Sequence, residues 1–140
     1  MSDYLKPLPS PSPDSRPFWD AAKRHELQLP RCRDCAEFFF YPRHVCPRCL
    51  GERIEWRRVS GDGTVYSFTV VRRPPNRAFV DVPYVLAIVE LAEGPRMTTN
   101  IVGCRPEDVR CNLPVTVVFE DVTPEVTLVK FKLVTGTRDR

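Results

Sequence analysis

Residues 31–50 read RCRDCAEFFFYPRHVCPRCL, and the rest of the chain is best understood outward from them. Cys32 and Cys35 form one C-x2-C pair, Cys46 and Cys49 a second, with ten residues between. Each pair suits a tight knuckle whose two sulfurs face one ion. A hairpin over Ala36–Val45, carrying Phe38, Phe39, Phe40 and Tyr41, would bring the four sulfurs into a tetrahedron. Clustered cysteines in a chain without an evident secretory signal read first as metal ligands and second as disulfides. Four thiolates leave a cation no open coordination position, so the site is expected to be structural, holding Zn²⁺. A rubredoxin-type iron is the alternative that the same ligands accommodate.

C-terminal to the cysteines the character changes to strands. Ile54–Arg57 alternates, and Gly61-Asp62-Gly63 reads as a turn with glycines free to take positive φ. TVYSFTVVR (64–72), YVLAIVEL (84–91), RMTTNIV (96–102), VTVVFEDV (115–122) and VTLVKFKLV (126–134) are rich in β-branched and aromatic residues. The second of these reads as buried on both faces. Residues 106–110 make one helical turn at most. Five strands in an open sheet leave exposed edges, so a closed or nearly closed antiparallel barrel is the economical solution. The order of three strands, a helical turn and two strands is that of an OB-fold, with another small β-barrel as the alternative.

N-terminal to the cysteines, residues 1–13 are proline-rich and read as a flexible or extended arm. A short helix should follow, capped by Asp14 or Ser15, with Pro17 in the first turn. Helices this short are not stable alone, so Phe18 and Trp19 must dock on something, either this chain's own barrel or a partner. The alternation Glu26–Leu29 then leads into the ribbon as a strand. The expected organisation is an arm over 1–13, helix and lead-in strand over 14–30, zinc ribbon over 31–52 and barrel over 53–140.

A chain of 140 residues that is 42% hydrophobic and 28% charged is an ordinary globular composition, large enough for one core. No apolar run reaches the roughly 18 residues of a membrane span, and Met1–Pro13 has no apolar core of a signal peptide, so a cytoplasmic location is expected. Four thiolates and one divalent cation would lower the formal charge of +3 to about +1. The basic residues, 17 of 21 being arginine, are interspersed with acids, which argues against nucleic-acid binding. No phosphate-binding glycine loop, nucleophile elbow or H-E-x-x-H is present. His44 reads as a hairpin residue, since four cysteines already complete the metal site. His25 has no carboxylate–nucleophile set around it, and Cys104 and Cys111 read as buried free thiols.

PFWDAAKRHELQLPRC (17–32), FFFYPRHVCPRC (38–49), EWRRVSGDGTVYSFTVV (55–71), PYVLAIVELAEGPRMTTNIVG (83–103) and PEDVRCNLPVTVVFEDV (106–122) together resemble the acyl-CoA-associated zinc-ribbon/OB-fold proteins, formerly catalogued as a domain of unknown function. The resemblance covers roughly residues 14–134. It departs at Cys111-Asn112, where an apolar–glycine pair is usual although Asn tolerates the left-handed conformation, and after Phe131, which lacks a proline-ended finish. The resemblance implies a mainly β fold: a short N-terminal helix, a rubredoxin-like ribbon and a C-terminal five-stranded OB barrel. It also implies a non-catalytic accessory subunit in a hetero-oligomer with a thiolase-like (lipid-transfer-protein-type) aldolase or thiolase, or with a MaoC-like hydratase. The chemistry would be acyl-CoA processing, as in steroid side-chain degradation. Phe18 and Trp19 are the candidate partner contacts; no CoA-binding residue is assigned. A stand-alone acyl-CoA-binding protein and a nucleic-acid-binding module are the competing readings.

Overall fold

The computed structural model describes residues 6–75, 77–79 and 81–134. Residues 1–5 of the proline-rich arm and the end of the chain at 135–140 therefore lie outside the described residues. Ser15 occupies the N-cap position of helix α1 (Arg16–Lys23) without a side-chain capping bond, its hydroxyl oxygen accepting the Ser12 N–H instead, and Pro17 lies in the first turn. Strand β1 (Gln28–Cys32) follows and pairs antiparallel with β2 (Ile54–Arg58), Gln28 opposite Arg58 and Cys32 opposite Ile54. The cysteine segment is thus an insertion between the two strands of one small sheet, and Ile54–Arg58 belongs to that sheet. The Val59 N–H extends the pairing by donating to the Leu27 carbonyl at 2.9 Å.

The barrel is built from β3 (Asp62–Val71), β4 (Tyr84–Leu91), β5 (Arg96–Val102), β6 (Pro114–Asp121) and β7 (Thr127–Leu133). A 3₁₀ turn at Pro106–Asp108 lies between β5 and β6. The strands close in the order β3-β4-β5-β7-β6. Every contact is antiparallel except β5–β7, which is parallel and pairs only Ile101 with Phe131 and Val102 with Lys132. The antiparallel expectation is corrected here by parity: directions cannot alternate all the way round a ring of five. Gly61 takes φ +84, as a turn glycine should, whereas Gly63 lies inside β3. A Cβ on Gly63 would sit 2.5 Å from the Glu90 carbonyl oxygen, so its role is close approach of two strands. Asn112 does adopt the left-handed conformation, at φ 71.

Inward residues of the barrel, led by Val65, Val89, Val115 and Phe131, form one core with Phe18, Leu27 and Leu29 from the N-terminal segment. Ribbon and barrel therefore share a hydrophobic interior. Phe18 is 3% exposed and packs on Trp19 (4.9 Å between centroids) and Phe40 (5.4 Å). Just beyond α1, His25 stacks on Phe119 of β6 at 5.2 Å and bonds Asp121 at 3.1 Å. Asp121 also accepts the Thr127 hydroxyl at 2.5 Å. Among the described residues no helix is long and apolar enough to cross a membrane.

Two outcomes follow from this packing. Phe18→Ala should remove about 3–5 kcal/mol, because the site is a junction of three elements. That loss should lower the melting temperature of the isolated protein by on the order of 10 °C. The Thr127 hydroxyl, and with it the His25 ring, hold the Asp121 carboxyl below the usual carboxylate range. Its stabilisation is complete above the unfolded value of about 3.9 and is lost as pH falls through the lower folded value. The melting difference between the wild type and Asp121→Asn should accordingly be largest near neutral pH and vanish in strong acid; a difference that grows on acidification would contradict the assignment.

Candidate metal centre and adjoining cleft

Cys32 ends β1 and is buried, Cys46 is buried, Cys35 is half-buried and Cys49 is exposed. The two knuckles are built alike. The Ala36 N–H donates to the Cys32 carbonyl and the Leu50 N–H to the Cys46 carbonyl, both at 2.9 Å. Ala36 and Leu50, each following its second cysteine, take φ 63 and 64. The Arg48 N–H points at the Cys46 sulfur at 3.4 Å. The second knuckle is closed by the Cys46 N–H donating to the Gly51 carbonyl (2.8 Å), and the Arg33 N–H donating to the Arg53 carbonyl (2.9 Å) and the Arg53–Asp34 ion pair tie the first knuckle to the chain leaving the second.

The sulfurs of Cys32 and Cys49 are 3.5 Å apart, those of Cys35 and Cys46 3.7 Å, and all four donors lie within 4.8 Å of one another. A tetrahedral ion with metal–sulfur bonds of about 2.3 Å places its ligands about 3.8 Å apart. A disulfide needs about 2.05 Å, which these pairs do not approach. The four cysteines thus fit a metal in number, chemistry and spacing. Burial pushes the free Cys35 thiol up to about 12, whereas the Cys49 backbone amide, helped by that of Arg48, draws Cys46 down to about 7. A bound divalent cation would take all four as thiolates.

The other sequence candidates separate. His44 projects from the hairpin and lies 3.5 Å from Asp14. His25 is engaged with Asp121 and Phe119, as above. Cys104 is half-buried and Cys111 exposed, which corrects the expectation that both are buried. Cys111 stands at the exposed turn before β6, beyond the reach of the barrel core.

Where β5 and β7 lack backbone pairing, a cleft of about 580 Å³ opens on the seam. The Thr99 hydroxyl bridges its floor by donating to the Val129 carbonyl at 3.0 Å. Its far wall is aromatic, with Phe18 and Trp19 of α1 facing Phe40 and Tyr41 of the ribbon hairpin. The two aromatic residues singled out in the sequence therefore play different parts. Phe18 spends its surface on its own chain, while Trp19 remains half-buried at the cleft and Tyr41 is 48% exposed beside it.

Fold and site together define a two-module protein: a closed four-cysteine ribbon joined through an aromatic seam to an OB barrel. Residues 19–55 match the family model described as the ChsH2 rubredoxin-like zinc ribbon domain, and residues 56–120 that of the ChsH2 C-terminal OB-fold domain. The chain belongs to this ChsH2/DUF35 family. A DUF35 domain-containing scaffold protein of Methanothermobacter thermautotrophicus is 38% identical, over 74% of this chain and 78% of its own. The probable enoyl-CoA hydratase alpha subunit of Thermomonospora curvata is 38% identical over 91% of this chain, and the 3-oxo-4,17-pregnadiene-20-carboxyl-CoA hydratase alpha subunit of Mycobacterium tuberculosis 37% over 81%. The match spans only 40% and 36% of the length of those two relatives. Among solved structures, a chain of an Ltp2-ChsH2(DUF35) aldolase superposes with a TM-score of 0.81 at 36% identity, covering 89% of this chain and 98% of that one.

Replacing Cys46 with Ser removes a buried ligand, and at such sites binding energy is folding energy. The expected outcome is loss of the bound metal and unfolding of the ribbon, read by elemental analysis and by exposure of the remaining thiols to a colorimetric reagent. Stoichiometric metal retained by the Cys46→Ser protein would refute the four-cysteine site.

Proposed function

We propose that this chain is a non-catalytic accessory subunit: it binds a thiolase-like aldolase or thiolase and supports that enzyme's processing of an acyl-CoA thioester, in the manner of steroid side-chain degradation. The observation that carries the reading is the near-complete superposition on the DUF35 chain of an Ltp2-ChsH2 aldolase, at an identity well above what fold likeness alone requires. The hydratase names of two relatives make a MaoC-like hydratase a further candidate partner. In this reading the four cysteines hold one structural Zn²⁺. With every coordination position taken by a thiolate, the ion fixes the ribbon hairpin and activates no water. Trp19 is the partner contact, and Phe18 pins the helix that presents it.

The chain's contribution is then positional. Phe40 and Tyr41, carried by the ribbon, complete a wall whose opposite side is barrel strand, so the shape offered to a partner depends on both modules being locked together. Trp19→Ala should lower the melting temperature less than Phe18→Ala does, yet weaken co-purification with the thiolase-like enzyme about thirtyfold, the effect of losing an aromatic anchor worth about 2 kcal/mol. The purified chain alone should turn over no acyl-CoA substrate, and adding it should raise the partner's aldol-cleavage or thiolysis rate. Turnover by the isolated chain that persists through exhaustive purification would overturn the accessory reading.

A further inference from the structure

YVLAIVEL (84–91) has the composition of a strand buried on both faces, but the structure buries only one. Val85, Ala87, Val89 and Leu91 point into the barrel, while Leu86 and Ile88 stand on its outer surface at 40% and 37% exposure. Register places Thr69 beside Leu86, Ser67 beside Ile88 and Thr98 across from Ile88 on the same outer face. An irregularity in the β3–β4 register between Val65 and Ser67 turns Tyr66 out as well, 47% exposed. The result is an apolar stripe whose centre, Leu86 and Ile88, is open to solvent, while Tyr84 at one end is half-buried with its ring 6.2 Å from that of Phe79. Contiguous apolar surface of this kind marks an interaction site.

Arginines stand at both ends of the stripe, paired at one and without acidic partners among the described residues at the other. At one end the Arg96 guanidinium lies over the Tyr66 ring, 3.7 Å from its centroid, and is steadied by Glu90 at 3.1 Å. At the other, β3 runs out into Arg72 and Arg73, followed by Arg77, all exposed. None of these three has an acidic partner within 4 Å among the described residues. The occupant must therefore bring apolar side chains for the centre and carboxylates for the Arg72–Arg73 end. A second copy of the same face brings three more arginines and would repel. Nucleic acid would need open aromatic platforms, but the Tyr66 ring is already covered by Arg96, Phe68 pairs with Ala87 and packs on the core, and the centre of the stripe is aliphatic.

We propose that the outer face of β3–β4–β5 is the docking surface for the enzyme subunit, with Leu86 and Ile88 as the dry centre, the Tyr66–Arg96 stack as a pre-ordered anchor, and Arg72 and Arg73 meeting carboxylates on the partner. Arg and Tyr held in advance of binding lose little side-chain freedom when the complex forms, which is the character of interface hot spots. The proposal rests on the accessory-subunit reading and specifies the surface that it uses.

The test is titration calorimetry of the full chain against the thiolase-like enzyme, at low and high salt, with the melting temperature of each variant as a folding control. Ile88→Glu should weaken binding at least thirtyfold without lowering the melting temperature. The double variant Arg72→Glu/Arg73→Glu should weaken it and flatten its salt dependence. Glu125→Lys, in the β6–β7 turn, should change nothing. If Ile88→Glu fails to fold, Thr69→Glu places the same charge on the same face. Wild-type binding that Ile88→Glu, or Thr69→Glu in its place, leaves intact would overturn this docking face while sparing the accessory-subunit reading. Absence of wild-type binding would overturn that reading and this face with it. The surface is also misassigned if Ile88→Glu converts a dimer of this chain to monomer in sedimentation, or abolishes binding to single-stranded DNA.

Discussion

Five strands cannot alternate in direction around a closed ring, so one neighbouring pair must run parallel, and here that pair is β5–β7. Its backbone pairing is confined to Ile101–Phe131 and Val102–Lys132. Upstream, the strands are joined by the Thr99 side chain bonding the Val129 carbonyl. The seam is the weak line of the barrel wall, and it is where the N-terminal helix packs. Phe18 enters the shared core there, Trp19 and the ribbon aromatics stand over it, and the cleft is what they leave uncovered. The closure constraint thus determines where the second module attaches and where the concave surface lies.

The ribbon solves a different physical problem. A segment of about twenty residues cannot bury enough apolar surface to order itself, and small modules of this kind rely on a metal or on docking. This one is built to use both. Its two knuckles repeat one turn, in which the first cysteine's carbonyl accepts from the N–H of the left-handed residue after the second cysteine. Its hairpin places Phe39 in the interior and Phe40 against Phe18. Ordering of the cysteine site and completion of the aromatic wall are therefore linked events: Phe40 and Tyr41, the ribbon's share of the wall, lie between the two pairs of ligands.

Electrostatics and shape point the same way for function. The barrel presents its apolar stripe between the Glu90-paired Arg96 and the exposed Arg72 and Arg73, and the cleft with Trp19 and Tyr41 adjoins it through Arg96 and Thr98. Four of the seven large hydrophobic side chains exposed among the described residues, Tyr41, Tyr66, Leu86 and Ile88, gather around this one side of the molecule.

Much of this was legible in the residues themselves. The C-x2-C spacing prescribed the knuckles because two residues between cysteines are what a single tight turn requires. The β-branched runs placed all five barrel strands to within two residues, and Pro17, with Asp14 or Ser15 as the expected cap, marked the helix start. The left-handed Asn112 was foreseeable from its side chain alone. These features are local, set by spacing, capping and backbone preference. Others depend on which distant segment arrives beside a residue. Parity and the crossover after β5 made the closing pair parallel, the pairing with β1 placed Ile54–Arg58 in the ribbon sheet, and an exposed turn left Cys111 outside. The sequence offered Phe18 and Trp19 as equals, and only the docking of α1 on the seam buried one and left the other at the cleft. Likewise, YVLAIVEL is apolar in both phases, so no local pattern could say that one phase would face solvent; the tertiary structure decided it by leaving Leu86 and Ile88 exposed among the described residues.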